Sequence, residues 1–154
     1  MKSKKCLRLR IIRPVFEDIA VNEGSEKYFR SNSIKNSRDI YELFSYLSRE
    51  TKEHFIAIHL DTKNKIICID TISIGSLVSS IVHPREVFKS VLLSSAASIA
   101  IVHNHPSGTP EPSTDDINIT RKLREAGNFL GIPVIDHVII GNGSYISLLE
   151  KGHI

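Results

Sequence analysis

Residues 98–116 read SIAIVHNHPSGTPEPSTDD, and this stretch decides the architecture. Its first five residues are apolar and mostly small or β-branched, which suits a strand buried on both faces rather than a helix. The strand runs directly into His103-Asn104-His105. In an extended segment residues two apart project to the same side, so His103 and His105 present two imidazoles to one point at the strand's end. Pro106, Gly108, Pro110 and Pro112 then make a stiff loop that has to turn back, and Ser113 opens a helix whose first turn contains Asp116. A first-turn carboxylate can point back toward the strand end. Together His103, His105 and Asp116 leave a fourth tetrahedral position for water, the layout of a catalytic rather than a structural zinc site.

The neighbouring elements follow from periodicity. After Ser113 a helical stretch runs to about Leu130, and Gly131 with Pro133 marks its end. VIDHVII and SYISLLE, joined by GNG at 141–143, read as a closing hairpin. Upstream, His83–Ser95 is an amphipathic helix opened by Pro84, with Val87, Phe88, Val91 and Leu92 expected inward. HFIAIHL, a turn at Asp61–Asn64, and KIICIDTISI form a second hairpin that Gly75 ends. Ser37 is expected to cap a helix running to about Glu50, with Ile40, Leu43, Phe44 and Leu47 on one face. Residues 7–13 alternate apolar and basic side chains before Pro14, the pattern of an edge strand, and the next two dozen residues read as loop. Strands and helices alternate with neither a GxGxxG nor a P-loop motif, so the class is α/β with a central mixed sheet and no nucleotide cradle.

With 154 residues, 41% of them apolar, the chain fits one globular unit able to bury a core without crosslinks. Its two cysteines, Cys6 and Cys68, form neither a disulfide framework nor a thiolate metal site, which points to a reducing cytoplasm. The opening MKSKKCLRLRIIRP lacks the long apolar stretch of a signal peptide or membrane span, so no membrane association is expected. Net charge is only +3, yet Lys2, Lys4, Lys5, Arg8, Arg10 and Arg13 crowd the first thirteen residues. Such a cluster either touches phosphates or forms the solvated face of the edge strand.

A bound zinc lowers the pKa of its water to roughly 7, but a base must still take and return the proton. Glu53 is the candidate, because it opens a strand immediately after a helix, where its side chain can reach over the metal from a neighbouring strand. His54, His59, His83 and His137 read as hydrogen-bonded structural histidines. Arg85 either anchors a substrate anion or pairs with Glu86, and Glu111 and Asp115 complement the helix dipole.

The spacing His103-x-His105, seven residues, Ser113, two residues, Asp116, with Glu53 upstream, is identified as the signature of the JAMM (MPN+/JAB) metalloproteases. The wider text, GSLVSSIVHPREVF, IVHNHPSG, PSTDD and IDHVIIG, closely resembles the RadC-like branch of that family over roughly residues 50–150. The resemblance implies a cytidine-deaminase-like (JAB/MPN) α/β fold with a mixed sheet flanked by helices. It further implies one zinc ion per chain on His103, His105 and Asp116, Glu53 as general acid/base, and Ser113 hydrogen-bonding the oxyanion formed from a peptide or isopeptide-type amide. Ser113 thus has two competing tasks, capping its helix or donating to substrate. Full-length RadC-like proteins carry a helix-hairpin-helix region that residues 1–50 do not resemble. The expectation is therefore a short stand-alone form, with an N-terminal strand, loop and helix (1–50) packed on the 51–154 domain. A DNA-associated accessory role, with nucleic acid as partner, is the second functional reading. Nucleoside deamination is disfavoured by the missing His-x-Glu and Pro-Cys-x-x-Cys pattern.

Overall fold

In the computed structural model, which describes residues 14–17, 33–75 and 82–154, the apolar run at 98–102 becomes the middle of a five-stranded sheet. The described elements are α1 (Ser37–Phe44), a 3-10 turn (Ser45–Arg49), β1 (Glu53–Leu60), β2 (Ile66–Gly75), α2 (Pro84–Leu93), β3 (Ser98–Asn104), α3 (Thr114–Leu130), β4 (Val134–Ile140) and β5 (Tyr145–Ser147). Strand order is β2-β1-β3-β4-β5. Only the β3–β4 pair is parallel, because α3 carries the chain back across the sheet between them; the other pairs are antiparallel. The α/β class and mixed sheet expected from the alternation are what is observed. The edge strand expected at 7–13, like Cys6, lies outside the described residues.

Alternation along the central strands sorts side chains onto two faces. Phe55, Ala57, Ile99 and Ile101 meet Val87, Phe88 and Val91 of α2 and Ile119 and Leu123 of α3. On the opposite face Ile56, Ile58, Leu60, Ala100, Val102, Val138 and Ile140 meet Ile40, Leu43 and Phe44 of α1 and Leu47. Every residue of β3 is buried, as a strand covered by helices on both faces requires. Each fully enclosed aliphatic side chain stabilises by about 1.5–3 kcal/mol, so this central strand anchors both layers.

Local differences from the sequence reading have physical causes. The α1 cap is Asn36, not Ser37: the Asn36 side chain accepts from the Asp39 amide while Asp39 accepts from the Asn36 amide, a reciprocal capping box. Ser37, one residue inside, is buried and donates to Glu150. The regular helix stops at Phe44 and tightens into the 3-10 turn, which still delivers Leu47 to the core. In α2 the buried stripe is Val87, Phe88 and Val91; Leu92 lies a further 100° round and is 54% exposed. β5 keeps only three residues of the expected seven-residue strand. None of the described helices is long and apolar enough to cross a membrane.

Candidate metal centre

β3 outlasts its apolar run by two residues, so His103 and Asn104 are strand residues and His105 is the first beyond it. Successive projection to opposite faces sends His103 toward α3, where Ser113 caps the first turn. The Ser113 hydroxyl accepts from the Asp116 amide (3.1 Å) and the Asp116 carboxylate accepts from the Ser113 amide (2.7 Å). That capping box turns the carboxylate back toward the strand end. The loop between is tied to the β4–β5 turn: the His105 amide donates to Ile140 O (2.9 Å) and the Asn142 amide to Gly108 O (2.8 Å). Gly141 must be glycine here, since a Cβ would sit 2.5 Å from Gly108 O and 2.7 Å from Pro110 Cδ.

Three donor side chains converge. His103 Nε2 lies 2.9 Å from His105 Nε2 and 3.3 Å from Asp116 Oδ1, and His105 Nε2 lies 3.4 Å from Asp116 Oδ2. Tetrahedral zinc with bonds of about 2.0–2.1 Å has ligand-to-ligand edges of about 3.3 Å. The closest contacts are near that spacing, one ligand atom from each side chain lies within 4.8 Å of the others, and among the described residues this is the group of His, Cys, Asp and Glu that could hold a metal.

Hydrogen bonds prepare the donors. His105 Nδ1 lies 2.8 Å from Thr109 O; a carbonyl only accepts, so Nδ1 carries the proton and Nε2 faces Asp116. His103 and Asp116 are buried, whereas His105 is partly open to solvent. Burial pushes His103 down against the opposing pull of Asp116, while the Asp116 hydrogen bond pushes His105 up. For Asp116 itself burial acts upward, but the two imidazoles and Ser113 hold its carboxyl well below the usual range. A proton on His105 Nε2, drawn toward Asp116 and the His103 Nε2 lone pair, would sit where a cation would, and metal binding would release it.

Glu53 opens β1 and lines a groove of about 660 Å³ with Thr51, Lys52, His105, Ser113 and Asp116. Its negative charge acts on both His103 and His105. Asn104 fixes its backbone: the wholly buried Asn104 side chain accepts from the His54 amide (2.8 Å) and donates to Lys52 O (3.0 Å), gripping the chain on either side of Glu53. The strand pairing of β1 with β3 ends at Phe55–His103, so this side chain continues the ladder where the backbones part.

A sequence profile of the RadC-like JAB domain matches residues 34–153. The chain belongs to the RadC-like JAB family. A UPF0758 protein of Methanococcoides burtonii is 57% identical over 122 residues, 79% of this chain and 53% of its own. One of Caldanaerobacter subterraneus is 58% identical over 125 residues, 79% and 52% of the two chains, and one of Bacillus cereus is 50% identical over 132 residues, 83% and 57%. The chain spans about half the length of the curated relatives it matches. The JAB match encloses α1 through β5 and every residue of the donor group.

Within this JAB domain the structure brings together all five residues singled out from sequence: His103, His105 and Asp116 as converging donors, Glu53 and Ser113 on the groove wall. Ser113 performs the capping task, and its hydroxyl proton points at Asp116 Oδ2 (2.6 Å). Asp115, the neighbouring carboxylate, is exposed. Arg85 pairs with Glu86 (3.1 Å), and His83 caps α2 by accepting from the Arg85 amide. His59 is enclosed beside Ser94 and Cys68. Sequence reasoning missed the positioning task of Asn104 and overlooked Thr120; His137, read as structural, contacts His103 directly (2.7 Å).

Proposed function

We propose that this RadC-like JAB domain is a zinc-dependent hydrolase that cleaves a peptide or isopeptide-type amide bond. The observation that carries the reading is the His103–His105–Asp116 cluster, with closest contacts of 2.9, 3.3 and 3.4 Å, whose His105 and Asp116 line a groove together with Glu53. His103, His105 and Asp116 would hold the ion, and the absence of thiolates leaves the set suited to an exchangeable fourth position. When bound, zinc supplies Lewis acidity, polarising a carbonyl and making hydroxide available near neutral pH.

The chain's own groups supply the rest. Glu53 takes a proton from the attacking water and returns it to the leaving amine nitrogen, a transfer that contributes about 10²–10⁴-fold. Ser113, exposed on the groove wall, turns its hydroxyl from Asp116 toward the carbonyl oxygen as negative charge builds there. Asn104 keeps the Glu53 backbone at a fixed height over the donors.

Elemental mass spectrometry on purified protein beside a His103→Ala, His105→Ala double variant tests the metal. Near-stoichiometric zinc in the parent and none in the variant is the expected result. Glu53→Gln should keep the metal and lose hydrolysis in a peptide-substrate screen; full activity in that variant would remove the proton role from Glu53. No zinc in either protein after reconstitution would favour the nucleic-acid accessory reading, which rests on the basic N-terminus and predicts DNA affinity that falls steeply with salt.

A further inference from the structure

Behind the donor cluster runs a second row of groups that the proposed chemistry does not use. His103 Nδ1 lies 2.7 Å from His137 Nε2; His137 Nδ1 lies 2.6 Å from Thr120 Oγ1; and Thr120 Oγ1 lies 2.5 Å from Asp116 O. His103 and His137 are fully buried and Thr120 nearly so. The row begins on one donor residue and ends on the backbone of another.

The proton positions along this row follow from one end. A carbonyl oxygen only accepts, and a hydroxyl held 2.5 Å from it must place its single proton between the two oxygens. Thr120 Oγ1 can then only accept from His137, so His137 Nδ1 bears a proton. A second proton on His137 Nε2 would make a fully enclosed imidazolium, and no carboxylate among the described residues lies within bonding reach of that ring. His137 Nε2 is therefore a bare lone pair. It accepts from His103 Nδ1, which puts the proton of His103 on Nδ1 and leaves His103 Nε2 bare, facing Asp116 and His105.

We infer that Thr120 and His137 are positioning residues that lock His103 in the Nδ1-protonated tautomer and so present its Nε2 lone pair to the metal seat. The inference rests on the proposed metal reading for its purpose, though not for its hydrogen-bond order. Thr120 stands four residues after Asp116 on α3, and His137 stands on β4 beside β3, so the latch ties one donor to another through a strand that carries neither. Phe55 closes it from the side, with its ring centroid 5.9 Å from His103 in a stacked pose and 5.5 Å from His137 edge-on. Both imidazoles are wholly enclosed.

Thr120→Val tests the latch, because valine keeps the shape and removes the hydroxyl, so His137 loses its acceptor and is free to move its proton to Nε2. That change would force a proton onto His103 Nε2. Thr120→Ser keeps the hydroxyl and serves as the conservative control. Long-range ¹H–¹⁵N spectra of the histidines in metal-free protein should show His103 unprotonated at Nε2 in the parent and in Thr120→Ser, with a tautomer mixture in Thr120→Val. Zinc affinity by chelator competition should fall about 10- to 100-fold in Thr120→Val and less than about threefold in Thr120→Ser, the range expected for partners of ligating histidines. A parent protein with His103 protonated at Nε2, or a Thr120→Val protein with unchanged tautomer and unchanged zinc affinity, would overturn the latch. A parent with the expected tautomer but no zinc affinity would support the hydrogen-bond order while refuting the metal reading.

Discussion

Replacing Asn104 separates its hydrogen-bonding task from its bulk. Asn104→Ala removes one bond donated by the His54 amide and one donated to Lys52 O. Two neutral hydrogen bonds at roughly 0.5–1.5 kcal/mol each set a range of about 1–3 kcal/mol. The lower half of that range applies, because His54 Nδ1 also donates to Lys52 O, and His54 is only half-buried, so water can replace the lost acceptor. Asn104→Asp keeps nearly the same shape and the acceptor for His54, but sets a second oxygen against Lys52 O and encloses a charge at a wholly buried position. It should cost more than alanine, on the order of 3 kcal/mol. For a domain of this size about 1–2 kcal/mol lowers Tm by roughly 2–8 °C. Urea unfolding of metal-free protein supplies the free energies, and amide hydrogen exchange at His54 reports the local bond. An aspartate variant as stable as the alanine variant, or His54 exchange unchanged in both, would refute the assignment of Asn104 as the clamp on Glu53.

The same structure yields further expectations. Gly141→Ala should drive the Gly108–Pro110 loop away from the β4–β5 turn, cost about 1–3 kcal/mol in urea unfolding and weaken zinc binding. Gly143→Ala, with open space around it but φ of 71°, should cost only about 1 kcal/mol and leave zinc affinity alone. Burial pushes the Asp136 carboxyl up despite bonds from Ser147, Leu149 and His137, so the folded state takes up its proton at a higher pH than the unfolded chain does. Its stabilising protonation is complete below the ordinary value of about 3.9 and is lost as pH rises through the folded value. Asp136→Asn should remove that decline, as seen by urea unfolding repeated from pH 4 to 7. Chelating the metal from zinc-loaded protein should lower stability by about 4 kcal/mol where free zinc had stood a thousandfold above Kd, measured as a Tm shift.

Much of this was legible because backbone geometry dictates it. The His103/His105 alternation, the proline-stiffened return and the Ser113 cap are local properties, and local properties survive folding intact. The strand-helix alternation likewise gave the α/β class. What escaped were relations across elements. Thr120 gains meaning only when α3 lies against β4, and Asn104 only when β1 parts from β3 at Phe55–His103. His137 carried a faint signal in its position on a buried strand beside Asp136. The α1 cap was misplaced by one residue because Asn36 and Ser37 are both good capping types; the Asn-x-x-Asp spacing to Asp39 was the discriminating sign. Leu92 and the short β5 show where periodicity outruns the surface available to cover it.

The parallel pairing of β3 with β4 also orders events in time. At roughly 5–20 residues per second, about one to five seconds of synthesis separate Asp116 from Ile140. During that interval a nascent chain already carries His103, His105 and Asp116, but neither His137 nor the Ile140 carbonyl and Asn142 amide that tether their loop. The candidate donors are made early and their scaffold late. Any metal capture would thereby be deferred until the last strands dock, and a chain ended before residue 134 would hold the whole sequence signature without the geometry that gives it meaning.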